Sequence, residues 1–476
     1  MKDETPYDRL PYTDHAYAES HPNRLAVVAR LSGWVAPELA AARILEIGCA
    51  RGGNLLPMAM SLPGAALVGI DPSQRQVDEA LRIAGEAQLP NVRVLHTGFE
   101  TAELEPGSFD YVLCHGLYSW IAVESRRALL RAIGQWLAPG GVAYVSFNTL
   151  PGWYERMAAK DWLRRAPSDE ALASLGWLRE QVSPELATYR YGLSRVLERL
   201  HETDPAYLVH EYLSEEHHPE YVGTFLAEAA EAGLAYLGDA IPQNVALELL
   251  PDDVGARVRE LEVATTQETI DFVKGTSFRR ALLVRAEACA ERGWRWPKRL
   301  DPAAIGSLRI ASRLREESPG SDFFRGARES VQVPDPAARA ALRELQRVAP
   351  RSLAFQELPG ADPALASELF DVWLATGELD LYAHAPPMAQ SAGEHPEAPP
   401  LVRLQAAHAG DATITNLWHQ EVRLLEPLVR FVLARLDGTR TAPQLVREAE
   451  RAGLLADEAS VRIAMDLLAA SALLSR

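Results

Sequence analysis

Between residues 43 and 147, short apolar runs alternate with stretches of helical spacing. The runs are Arg43-Ile44-Leu45-Glu46-Ile47, Ala66-Leu67-Val68-Gly69-Ile70, Val92-Arg93-Val94-Leu95, Phe109-Asp110-Tyr111-Val112-Leu113-Cys114 and Gly141-Val142-Ala143-Tyr144-Val145-Ser146-Phe147. Continuous apolar strands separated by helices of about 10 to 15 residues predict a parallel sheet covered on both faces. The expected class is α/β, a Rossmann-like doubly wound domain over 39–153. Ahead of it, residues 1–38 read as an arm carrying Tyr7, Tyr12 and Tyr17. That arm leads into a helix through Leu25, Val28 and Leu31 that stops at Gly33.

After Pro151-Gly152-Trp153 the strand signal fades. Leu193, Val196, Leu197 and Leu200, then Ala281, Leu282, Leu283 and Ala286, have helical periods and predict a helical domain over 154–295. The stretch Ser318-Pro319-Gly320-Ser321-Asp322 reads as a boundary. Residues 335–384 read as helices finishing in the alternating strand Glu378-Leu379-Asp380-Leu381-Tyr382. A proline-rich linker then leads to residues 401–476, where 433–441 precedes two helical stretches. Both pieces have the outline of small winged-helix-like units.

Charge narrows the partners. The chain of 476 residues carries a net charge of −17, of which −4 falls on residues 1–153 and −13 on the remainder. A polyanion would meet a repulsive field, so nucleic acid is disfavoured, and an acidic accessory region suits a basic or lysine-bearing partner. Cys49, Cys114 and Cys289 are too few for a disulfide framework and show no zinc-ligand spacing, which fits a cytoplasmic protein with no bound metal. No signal-peptide pattern opens the chain, and no run of about 18 apolar residues suggests membrane insertion. There are 44 arginines but only four lysines, Lys2, Lys160, Lys274 and Lys298, a bias that GC-rich coding accounts for.

Chemistry concentrates where the first apolar strand ends, in Glu46-Ile47-Gly48-Cys49-Ala50-Arg51-Gly52-Gly53-Asn54. Gly48 and Gly52 allow a tight turn and close approach of a ligand to the main chain, at the sheet edge where doubly wound folds bind ligands. The loop lacks the lysine of a phosphate cradle, and Ala50 breaks the G-x-G-x-x-G fingerprint. Asp71 ends the second strand, where a carboxylate can accept two ribose hydroxyls. With Glu46 two residues before Gly48, the pattern is that of S-adenosylmethionine (SAM) sites. The spacing His210-Glu211 with His217-His218 departs from a zinc motif and reads as a solvated helix end. His419-Gln420-Glu421 reads as an exposed helical face.

The sequence resembles the class I SAM-dependent methyltransferases that carry a methyltransferase regulatory domain, typified by rickettsial protein lysine methyltransferases. The resemblance rests on residues 7–12, His21-Pro22, 44–54, 69–71, 109–120, 148–153, 210–213, 233–237 and 278–283, and so spans nearly the whole chain. It implies that Glu46, Gly48, Cys49, Ala50, Gly52, Asn54, Asp71, Pro72, Gln76, Phe99, His115 and Gly116 hold SAM. The acceptor site would be lined by His115, Tyr118, Trp120, Tyr12 and Asn148. Gly98-Phe99 stands where many relatives have an acid for the adenine amino group, so Phe99 packing and backbone groups are expected there instead.

Methyl transfer requires a neutral nucleophile in line with a sulfonium, and a lysine amine of ordinary pKa, about 10.4, must lose a proton first. Aromatic walls lower that pKa by desolvation and hold the amine by cation–π contact. The leading reading is methylation of a side-chain nitrogen of a protein or peptide, lysine first. A peptide natural-product methyltransferase acting on asparagine or another side chain, and a non-catalytic SAM sensor, are the alternatives. Both monomer and homodimer stay open.

Overall fold

The computed structural model describes residues 15–167, 170–201, 208–214, 216–327, 330–408 and 413–475. Its central element is a seven-stranded sheet of order β3-β2-β1-β4-β5-β7-β6. The strands are β1 (Arg43–Ile47), β2 (Ala66–Asp71), β3 (Val92–His96), β4 (Phe109–Cys114), β5 (Leu137–Asn148), β6 (Leu234–Asp239) and β7 (Phe278–Arg285). The first five are parallel, β7 is antiparallel to β5, and β6 is antiparallel to β7. Strand order reverses between β1 and β4, opening a crevice at their carboxyl ends. Ile44, Leu45, Ile47, Tyr111, Val112 and Leu113 are all buried, as expected of strands covered on both faces.

The sheet does not end at residue 153. Residues 281–283, which read as helical, lie in β7, where Ala281, Leu282, Leu283 and Val284 are buried. A strand buried on both faces is a continuous apolar run, and periodicity cannot separate such a run from a buried helix. The helical part of the middle region is an excursion between β5 and β6. Helices Tyr154–Leu163, Ala171–Gln181 and Ala187–His201, with a π-helical turn at Leu208–Leu213, enclose a separate small core of Leu163, Leu175, Leu193 and Leu200. Helix Val222–Glu231 then returns the chain to the sheet.

Residues 318–322 are likewise not a boundary. They form the turn between strands Arg315–Glu316 and Phe323–Arg325, inside a unit whose core joins Ile305, Ile310, Phe324, Leu342 and Leu369 to Val27 and Leu31 of the N-terminal helix. The strand Leu379–Tyr382, at the edge of a three-stranded sheet within that unit, is buried at every position, with Leu379 and Leu381 in this core and Tyr382 against Trp418. The last unit holds the hairpin Thr413–Thr415 and Glu421–Arg423 and the helices Ala442–Arg451 and Glu458–Ala470. Its core is continuous with Leu56 and Met60 of the helix that follows the glycine loop. Among the described residues, no helix is long and apolar enough to cross a membrane, and no group of three or more His, Cys, Asp or Glu side chains could hold a metal ion.

Candidate active site at the carboxyl edge of the sheet

The turn after β1 is built on positive φ angles, +74° at Gly48, +46° at Ala50 and +83° at Gly52. Ala50 tolerates this strained region because its amide is pinned, donating to Asp71 Oδ2 at 3.0 Å, while the Ser73 amide donates to Oδ1 at 2.9 Å. Asp71 therefore braces the glycine loop as well as facing the crevice. A Cβ at Gly48 or Gly116 would meet nothing within 4 Å, so the main chain there is open to a ligand. Cys49 points the other way. Its thiol is buried, and a Cβ at Gly69 would lie 2.6 Å from its sulfur, which leaves Cys49 only a backbone role at the site.

Asn54 is the hub. Its Nδ2 donates to Glu46 Oε1 at 2.6 Å and to Ser20 Oγ at 3.0 Å. Its Oδ1 accepts from the Tyr17 amide at 2.9 Å and from His419 Nε2 at 2.8 Å. Glu46 is buried, and its second oxygen has no hydrogen-bond partner among the described residues. Burial, with some repulsion from Asp71, raises its pKa to about 7 although the Asn54 bond works against this. A buried carboxyl with one orphaned acceptor, beside an open glycine turn, fits an ammonium donor such as the amino-acid end of SAM.

His115, at the end of β4, bonds Tyr144 through Nδ1 at 2.9 Å. Tyr17 stacks on its other face, centroids 3.5 Å apart. Burial lowers its pKa to about 4, so it is neutral at pH 7 and suited to contact rather than to carrying charge. The Gly116 amide donates to Ser146 Oγ at 2.9 Å. Phe99 is buried among Leu45, Ile47 and Ile70. Gln76 is buried in the first turn of the helix after β2, and the Pro72 carbonyl bonds the His96 ring at 2.8 Å.

Beyond β4 and β5 lies a largely buried aromatic cluster. Asn148 ends β5, its backbone N–H donates to Ser119 Oγ at 2.9 Å, and its side chain meets His217 Nε2 through Nδ2 at 2.9 Å. The His217 ring lies 4.3 Å from both Trp120 and Trp153. Burial, reinforced by Lys160, lowers its pKa to about 2, so this imidazole is neutral.

Three readings change here. Tyr118 packs away from this cluster: it lies against Phe147 and Phe225, its hydroxyl donates to Glu228 Oε2 at 2.6 Å, and the Arg126 guanidinium lies over its ring. In the tight turn after β4 it alternates with Trp120, which takes the outward position. His217 is no solvated helix end, being walled in by two indoles. His419 is neither helical nor exposed; it turns at φ +58° between the strands of the C-terminal hairpin and is buried on Asn54. No sequence periodicity marks these long-range contacts. Tyr12 lies outside the described residues.

Comparisons with known proteins match this geometry. A family model described as a methyltransferase domain matches residues 44–141, one described as a predicted methyltransferase regulatory domain matches 204–285, and one described as the PKMT C-terminal winged helix domain matches 394–457. The uncharacterized protein RP789 of Rickettsia prowazekii is 33% identical over 293 residues, which is 60% of this chain but only 53% of that protein. RP028 of the same organism is 29% identical over 232 residues, 47% of this chain and 93% of that protein. The chain thus spans about half the length of RP789. The structure of PKMT2 from Rickettsia typhi in complex with AdoHcy superposes with a TM-score of 0.85 at 22% identity, over 98% of this chain and all of that one. The fold is shared from end to end.

Proposed function

We propose that the chain is a SAM-dependent methyltransferase joining a class I domain to regulatory and PKMT-type winged-helix domains, and that it methylates a side-chain nitrogen of a protein, lysine first. The observation that supports this acceptor is the cluster of Trp120, Trp153 and His217 beside Asn148. Two indoles and a neutral imidazole offer π faces in a desolvated setting, which suits an amine that must shed its proton.

SAM, when bound, supplies a methyl group activated on a sulfonium. In this reading Asp71 accepts the ribose hydroxyls, the open main chain at Gly48 and Gly116 lies along the cofactor, and Glu46 accepts its ammonium with the orphaned oxygen. Phe99 lines the adenine side. The aromatic walls exclude water and hold the acceptor amine in line, which is most of what a displacement of this kind asks of a protein. A negative accessory region, net −13 beyond residue 153, favours a lysine-bearing partner.

Incubation with SAM and candidate proteins, read by mass spectrometry, tests the proposal. The expected result is an added CH2 on lysine side chains; transfer to small molecules only would contradict it.

A further inference from the structure

Lys160 is one of four lysines in a chain with 44 arginines, and it is only 3% exposed. It sits on the helix Tyr154–Leu163 with its Nζ 5.3 Å from the centre of the Trp120 ring, donating to the Glu211 carbonyl at 2.7 Å. Its charge is also the strongest of those bearing on His217. The side chain thus brings an ammonium into the cluster of Trp120, Trp153, His217 and Asn148, on the sheet edge that also carries the glycine loop. Asn148, which bonds His217, ends β5 beside β4, the strand that leads into His115. Tyr17 covers His115 in turn.

We propose that Lys160 is an intramolecular methyl acceptor, occupying the pocket that takes the substrate amine. The inference rests on the methyltransferase reading above. Burial lowers the Lys160 pKa to about 8, so a larger share of neutral amine is present near pH 8 than for an ordinary lysine. The ammonium first gives one proton to solvent. The Nζ lone pair then forms the new N–C bond as the C–S bond breaks, and the bonding pair stays on sulfur. The products are a monomethylammonium on Lys160 and uncharged AdoHcy. Because one pocket holds one ammonium, Lys160 also competes with a lysine-bearing substrate.

The test uses the full chain. SAM binding is measured first by calorimetry. The protein is then incubated with SAM at two concentrations tenfold apart and cleaved at arginine, which frees residues 157–164. The expected result is an added CH2 on that peptide, in the same fraction at both concentrations and absent from Lys160→Arg. In a parallel titration without cofactor, Nα-acetyl-lysine methylamide binds Lys160→Ala tighter than the parent chain, by about threefold or more. SAM binding with residues 157–164 unmodified overturns the proposal and leaves the methyltransferase reading standing. A fraction that rises with protein concentration overturns the intramolecular route, and an unchanged affinity for the lysine amide overturns the shared pocket. Absence of SAM binding overturns both readings.

Discussion

Tyr17 lies flat on His115, with ring centroids 3.5 Å apart and planes within 18°. A residue of the N-terminal segment thus closes over the end of β4, and its amide is tied to Asn54, the same side chain that holds Glu46. The stack is worth about 1 kcal/mol beyond its area. Tyr17→Ala is expected to weaken SAM binding several-fold, while Tyr17→Phe keeps the stack and stays within about twofold. Calorimetric titration of both variants checks this.

Asp71 accepts from the Ala50 and Ser73 amides, and in the proposed reading it also accepts the ribose hydroxyls. Asp71→Ala removes charge-assisted bonds worth about 1.5–3 kcal/mol each. It should therefore reduce SAM affinity by at least about tenfold and lower the melting temperature, because the Ala50 and Ser73 amides lose their acceptor. Unchanged affinity in this variant would remove Asp71 from the cofactor site.

The buried Glu46 carboxyl has a definite pH signature. Its pKa in the fold, about 7, lies above its ordinary value of 4.5. The folded state therefore binds the proton more tightly, and stability falls as pH rises from about 4.5 to about 7 and then levels off. Glu46→Gln should raise the melting temperature of the ligand-free protein at pH 8 and change it little at pH 5. It should also weaken SAM binding, because an amide cannot pair with the ammonium.

Tyr118 and Trp120 should part company. Tyr118→Phe loses the bond to Glu228 and is expected to cost about 1–2 kcal/mol of stability, with kcat unaltered. Trp120→Ala removes a ring that packs on His217, and if the proposed acceptor site is right it should lower kcat while leaving SAM affinity intact. Denaturant unfolding and steady-state kinetics on both variants separate the two roles. A Tyr118→Phe variant that folds normally and is inactive would restore Tyr118 to the site.

The C-terminal unit reaches the cofactor side through His419. Burial lowers the His419 pKa to about 3, so its neutral Nε2–H donates to Asn54 without carrying charge. His419→Ala should weaken SAM binding by about 1 kcal/mol. In a double-mutant cycle with Asn54→Ala the two effects should be strongly non-additive. Additive effects would place the two residues in separate roles.

The glycine turn, Asp71 and the parallel strands were legible in the sequence because local spacing encodes them. Each is a short stretch whose residue types answer to its own backbone geometry. Strand β7 was not, since Ala281, Leu282 and Leu283 are buried on both faces and lose the alternation that identifies a half-exposed strand. The contacts of Asn54 with His419, of Asn148 with His217 and of Lys160 with Trp120 span 365, 69 and 40 positions along the chain. Only the folded topology brings such residues together. Tyr118 and Trp120 look alike in the sequence because both are aromatic and adjacent to β4. What separates them is the direction of one tight turn, which puts Tyr118 on Glu228 and Trp120 on His217.

Methylation of protein lysine is the reaction proposed for this site. Its most direct test is to incubate the full chain with methyl-labelled SAM and a lysine-bearing protein, then hydrolyse the protein and separate its amino acids. The account predicts label in Nε-methylated lysine, lost in Asp71→Ala and reduced in Trp120→Ala. SAM binding with label only in other side chains, or with no label in protein at all, would contradict it.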